Sequence, residues 1–135
     1  MEPNLYMKKT LALLAMAFVA ASTYAASPFA DISVDDVNTL AKSKSAVIID
    51  VNGTDSYNAG HVPGALNYEA IKDKLAANLP KDKSAVIVAY CGNPKCGAYA
   101  QAATAAQKLG YTNIKHMTAG IAGWKSAGMK TEPGK

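Results

Sequence analysis

Two short, unbroken apolar runs organise the chain. Ala46-Val47-Ile48-Ile49 leads into Asp50 and Val51, and Ala85-Val86-Ile87-Val88-Ala89-Tyr90 leads directly into Cys91. Neither alternates with polar residues, so each reads as a strand buried on both faces, the habit of a helix-covered parallel sheet. A short opening strand is expected at Phe29 to Ile32, another around Ala65-Leu66-Asn67, and a last one from Ile114 to Met117. Between them the spacing becomes helical. Val34 to Lys42 carries Val37, Leu40 and Ala41 inward, with Ser33 as cap and Asp36 in an acidic first turn. Glu69 to Leu79 places Ile71, Leu75 and Leu79 on one side, with Pro80 beyond its end. Gly97 to Leu109 is alanine-rich and closes at Gly110. Ala98, Ala102, Ala105 and Leu109 form its small-residue face. Asn52 to Gly64 reads as turns, Trp124 as part of a last short helix on the core, and the tail from Thr131 as frayed.

Strands alternating with helices over this length predict a three-layer α/β domain with a mostly parallel sheet. Ligands of such sheets bind beyond the carboxyl ends of the strands. The two strongest strands end at Asp50 and Cys91, so the pattern points twice to one edge.

Composition adds a compartment. The 135 residues are 50% hydrophobic and 18% charged, which is globular. At the start, Met7-Lys8-Lys9-Thr10, the apolar run Leu11 to Ala21 and the small residues ending at Ala25 have the form of a secretory leader. Met7 is the expected start. The run is too short for a comfortable membrane span. Residues 1–25 are therefore expected to be removed, leaving 26–135 as one domain, periplasmic or secreted, with no stable membrane insertion. About 110 residues suffice for a single core. Beyond the leader stand twelve scattered lysines and nine acids, and the whole chain has no arginine. With no basic stripe and no guanidinium fork, nucleic acid is not an expected partner.

Export implies an oxidising surrounding, and the chain has only two cysteines, Cys91 and Cys96. Both lie in one short segment after a strand, an arrangement that favours chemistry over stapling. Cys91-Gly92-Asn93-Pro94-Lys95-Cys96-Gly97 joins the buried strand to the alanine-rich helix. Its glycines and asparagine permit a curl in which several amides point inward at one atom, with a helix N-terminus behind it. Such a cradle stabilises a thiolate or persulfide on Cys91, and Lys95 adds charge.

With these residues in view, the chain resembles a rhodanese-like domain over nearly all of its mature length. The matching segments are Val47 to Val51, Tyr57-Asn58-Ala59-Gly60-His61-Val62-Pro63-Gly64-Ala65, Tyr90-Cys91 with its loop, Ala102 through Tyr111, and Ala119-Gly120-Ile121-Ala122-Gly123-Trp124. The resemblance implies a central five-stranded, mainly parallel sheet with helices on both faces and Cys91 as the active-site cysteine. It also implies sulfur transfer rather than phosphate or arsenate chemistry, because the loop 91–96 has the shorter of the two lengths this fold uses. Two positions depart from the pattern. Many family members carry an arginine two residues after the strand-end acid, here Asn52, and another at the sixth loop position, here Cys96. Both losses remove groups that hold an anionic donor such as thiosulfate.

The expected function is transfer of sulfane sulfur through a Cys91 persulfide, from thiosulfate or a persulfide to a thiol or cyanide, with no cofactor. Two alternatives stay open. One is thiol–disulfide redox chemistry by Cys91 and Cys96; the other is a binding module without catalysis. Cys96 reads as loop filler, as a resolving partner of Cys91, or as a metal ligand. Two cysteines and two distant histidines, His61 and His116, do not meet zinc spacing. His61 is expected to organise its loop, and Asp50 to anchor the sheet edge by hydrogen bonds rather than to act as a base. A disulfide needs Cα atoms within roughly 7 Å, which a curled loop of this length meets. It is expected to be a regulatory, easily reduced bond.

Overall fold

A computed structural model describes residues 28–135; the leader reading, residues 1–25, lies outside them. Five parallel strands form one sheet in the order β1-β5-β4-β2-β3. They are β1 (Ala30–Asp31), β2 (Ala46–Asp50), β3 (Leu66–Asn67), β4 (Val86–Tyr90) and β5 (Ile114–His116). β2 and β4 pair along their full length, so Asp50 stands beside Tyr90 at the carboxyl edge. The α/β class and the five-stranded parallel sheet expected from the sequence are both present.

Alternate residues of the central strands feed two cores. Ile49, Ile87 and Ala89 face one layer, with Leu75, Leu79 and the helix α5 (Tyr99–Lys108). Ile48, Val88 and Tyr90 face the other, with Val37 of α1 (Val34–Ser43) and with Ile121 and Trp124 of α6 (Gly120–Ser126). Strands covered on both sides need apolar residues at every position, hence the unbroken runs. α1 is capped as its sequence predicts, with the Ser33 hydroxyl accepting from the Asp36 amide at 3.1 Å.

Four local expectations are corrected. Residues 54–59, read as turns, form a helix, α2 (Thr54–Ala59). Its cap is non-local: Glu69, fifteen residues on, accepts the Thr54 amide at 2.6 Å. Residues 69–79, read as one helix, are broken into α3 (Tyr68–Ile71), a 3-10 turn (Lys72–Lys74) and α4 (Leu75–Asn78). Ile71, Leu75 and Leu79 still pack on one core, so their spacing did not distinguish the two forms. The buried face of α5 is Tyr99, Ala102, Ala103 and Ala106, whereas Leu109 is exposed. Alanine gives no contrast between faces; Tyr99 sets the rotation by lying edge-on to Phe29 and flat on His116. The tail is paired rather than frayed. Glu132 exchanges both backbone hydrogen bonds with His61, each at 2.9 Å, and its carboxylate accepts the Gly64 amide.

At the carboxyl edge a buried polar chain joins three segments. The Tyr90 hydroxyl donates to Asp50 Oδ2 at 2.6 Å and accepts the Val62 amide at 3.0 Å. Asp50 Oδ1 accepts the Asn52 amide at 2.8 Å. Burial, and then the Asp50 charge, push the Tyr90 hydroxyl far above its ordinary range, so it stays a proton donor. Tyr90→Phe strands one carboxylate oxygen and one buried amide. The expected loss is about 1–3 kcal/mol of unfolding free energy, read by urea denaturation. A change under about 0.5 kcal/mol, the usual surface value, would deny the network its role.

Candidate active site

The loop begins where β4 ends. Cys91 is 1% exposed and belongs to the α5-side core. Its backbone is held from outside the loop. The amides of Ile121 and Ala122, in the first turn of α6, donate to the carbonyls of Cys91 and Gly92, both at 2.9 Å. Orphan amides of a helix start thus fix the first two loop residues. Gly120 makes this approach possible. A Cβ there would stand 2.6 Å from the Gly92 carbonyl carbon, and its φ of +64° favours glycine.

Asn93 closes the rest of the loop into a turn. The Cys96 amide donates to the Asn93 carbonyl at 3.1 Å, and the Lys95 amide to Asn93 Oδ1 at 2.9 Å. Asparagine first and proline second are residues that such a turn favours. Cys91 and Cys96 are joined as a disulfide with Cα atoms 6.2 Å apart, inside the span such a bond bridges. The sequence expectation of an inward amide cradle concerns the reduced or persulfide form, whereas the loop here is oxidised. Two loop amides turn to Asn93, and the polar contact of Cys91 Sγ is the Cys96 carbonyl oxygen, at 3.3 Å.

Around the loop, the structure brings together some of the residues singled out from the sequence and separates others. Asn52 packs against it: Asn52 Oδ1 lies 3.5 Å from the place of a Gly92 Cβ, and its Nδ2 is buried without a hydrogen-bond partner. Asp50 stands behind, engaged with Tyr90. His61 is buried in its own loop, stacked on Tyr57 at 3.7 Å with Nδ1 2.8 Å from the Tyr57 carbonyl. The Tyr57 hydroxyl donates to the Ala65 carbonyl, and burial followed by the charges of Asp50 and Glu132 raises its pKa. These contacts give His61 a structural setting. Among the described residues no group of three or more histidines, cysteines and acids is gathered for a metal.

Sequence reasoning passed over the other side of the loop. A cleft of about 670 Å³ lies between the loop and β1, lined by Asp31, Lys95, Cys96, Tyr99, His116 and Thr118 among others. His116 is 4% exposed, its ring flat on Tyr99 at 3.3 Å and its Nδ1 3.3 Å from Thr118 Oγ1. Burial lowers its pKa, against a smaller opposing effect of Asp31, so the ring is neutral at neutral pH. Its Nε2 is shut from solvent with no hydrogen-bond partner, at a cost of about 1–3 kcal/mol. Its place at the end of a strand was legible, but its pairing with Tyr99 across the sheet was not.

Comparison with known proteins agrees with this architecture. The model of the rhodanese-like domain family matches residues 33–127. The chain is 31% identical over 123 residues to the HTH-type transcriptional regulator Rv0324 of Mycobacterium tuberculosis, spanning 90% of this chain and 53% of that protein. It is 29% identical over 103 residues to the thiosulfate sulfurtransferase GlpE of Pseudoalteromonas translucida, spanning 73% of this chain and 91% of that one. Among solved structures, the rhodanese-like domain of the Anabaena protein Alr3790 superposes with a TM-score of 0.62 at 24% identity, covering 76% and 78% of the two chains. A thiosulfate sulfurtransferase of Pseudomonas aeruginosa gives 0.62 at 22%, covering 79% of this chain and 21% of that one. At these identities the structural likeness is one of fold.

The contact between α6 and the loop is open to test. Gly120→Ala is expected to destabilise the domain by more than about 1 kcal/mol, since both its φ and the Gly92 backbone must shift. Gly97→Ala, where a Cβ meets nothing within 4 Å, is expected to change stability by less than about 0.5 kcal/mol. Denaturant titration of the pair decides, and equal effects would remove the close approach as the cause.

Proposed function

Because the chain belongs to the rhodanese-like domain family, we propose that it moves sulfane sulfur through a persulfide on Cys91. The observation that carries this is the seat of Cys91: the first residue beyond a central strand, its backbone gripped by the start of α6. The sulfurtransferases among its relatives point the same way. In the reduced form, the Cys91 thiolate attacks the outer sulfur of thiosulfate or a persulfide. The donor's remainder leaves, and the sulfane sulfur passes to a thiol or to cyanide. No cofactor enters these steps.

Two features qualify the donor. Asn52 and Cys96 stand where many family members have arginine, so an anionic donor meets no guanidinium. What remains near the loop is the Lys95 ammonium and the unpaired amide of Asn52. A persulfide with one small charged group therefore fits better than thiosulfate. The Cys91–Cys96 disulfide favours thiol–disulfide exchange as the second reading, because that bond must open before Cys91 accepts sulfur.

Sulfur transfer is tested on the reduced protein with thiosulfate and with a small persulfide, using cyanide as acceptor. Cys91→Ala is expected to fall to the uncatalysed background, with the persulfide the better donor for the wild type. Equal turnover by both proteins would take Cys91 out of the mechanism. No turnover by the wild type with either donor would favour a binding module.

The residues from Met7 to Ala25 further support export. Fractionation of the native host is expected to return a chain beginning near Ala26 from outside the cytoplasm. Recovery of the full-length chain from the cytosol would exclude the leader.

A further inference from the structure

We propose that the cleft beside Cys96 is a docking site for a small thiol bearing a carboxylate, which attacks Cys96 and releases Cys91. This rests on the sulfur-transfer reading only for its purpose, since the exchange step stands on its own geometry. The two sulfurs of the disulfide are not equivalent. Cys91 is 1% exposed and is not part of the cleft, whereas Cys96 is partly exposed and lines it. A nucleophile meets a disulfide at the sulfur it can reach, and the other sulfur departs. Access therefore selects Cys96 for attack and Cys91 as leaving group.

The chemistry of the walls selects the thiol. At about 670 Å³ the cleft has the size of a small-molecule site and not of a protein interface. Lys95 lines the cleft with Cys96 and offers a partner for a carboxylate, while Asp31, the acid on the opposite wall, accepts the Thr118 amide at 3.1 Å. The His116 ring, flat on Tyr99, closes the floor of the cleft with its Nε2 turned away from solvent. Tyr99 and Phe29 supply apolar surface for a short carbon chain.

Bonds and protons balance without an external oxidant. The thiol sulfur bonds to Cys96 Sγ as the Cys91–Cys96 bond breaks, giving a mixed disulfide on Cys96. The proton lost by the thiol ends on Cys91, whose sulfur already lies 3.3 Å from an acceptor, the Cys96 carbonyl. A second thiol then takes the first off Cys96 as a small disulfide and leaves the Cys96 thiol. Cys91 is thus freed in the first step, before Cys96 is.

The test uses the oxidised full chain and 3-mercaptopropionate, with cysteamine as a cationic comparison. Reactions are quenched in acid within seconds, and free thiols are alkylated under denaturing conditions. Trypsin cuts between Lys95 and Cys96, so the two cysteines fall in separate peptides. The expected early product carries the mercaptopropionate adduct on Cys96 and the alkyl group on Cys91. The adduct on Cys91, or failure of the oxidised chain to hold the internal disulfide, would overturn the proposal. Lys95→Gln is expected to slow opening by 3-mercaptopropionate several-fold and to leave opening by cysteamine equally fast or faster. Equal slowing of both thiols, or of neither, would overturn the carboxylate preference. A Cys96 adduct in a protein that transfers no sulfur would refute the sulfurtransferase reading alone. Sulfur transfer by a protein whose adduct forms on Cys91 would refute this inference alone.

Discussion

The hydrogen bond from Tyr90 to Asp50 is the constraint on which the site depends. A carboxylate that is 1% exposed at a sheet edge costs several kcal/mol unless it is fully engaged. Here both oxygens are used, one by the Tyr90 hydroxyl and one by the Asn52 amide. The same hydroxyl takes the Val62 amide, which draws the segment carrying His61 over the end of the sheet. Cys91 follows Tyr90 directly. Its direction is therefore set by a residue whose hydroxyl is held from two sides, by Asp50 and by Val62. Breaking the clamp frees the loop's first anchor together with the turn beyond β2.

The second anchor comes from the far end of the chain. α6 spends its first amides on the carbonyls of Cys91 and Gly92, and this needs glycine at position 120. Gly120 has no room for a Cβ against Gly92, while Gly92 itself lies close to Asn52. The tail contributes in turn, since Glu132 pairs with His61 and holds the turn that Val62 leads from. The edge is thus assembled from β2, β4, the His61 segment, α6 and the tail, although chemistry was expected at two strand ends only.

How much of this was readable depended on distance along the chain. The central strands announced themselves, because burial on both faces demands an unbroken apolar run. Ser33 announced α1, because its partner is three residues away. The α2 helix was hidden because its capping acceptor is Glu69, and the tail because Glu132 finds its partners at His61 and Gly64. The face of α5 was hidden for another reason: a run of alanines carries no phase, and Tyr99 sets the phase only through rings on β5 and before β1. Asp50 and Cys91 were found as strand-end residues of opposite chemistry. His116, on its short strand, reads as packing or surface; it packs, but nothing near it in sequence marks Tyr99 and the cleft as its neighbours.

Cysteine in place of arginine at position 96 changes what regulates the loop. A guanidinium is always charged, so a loop that ends in arginine offers a fixed attraction to anions. Cys96 offers none while joined to Cys91, and its backbone carbonyl lies 3.3 Å from the Cys91 sulfur. On the proposed sulfur-transfer function the oxidised loop is at rest on two counts: Cys91 is engaged in the disulfide, and the Cys96 carbonyl occupies the place beside its sulfur. Opening the bond at Cys96 removes the first directly. It also releases the tether that keeps that carbonyl against Cys91. The loop amides at Asn93 are held by a turn whose hydrogen bonds each contribute about 1 kcal/mol. On the proposed function, a loop with cysteine at both ends and lysine beside the second, in a chain with no arginine, answers to redox state where an arginine would answer to none.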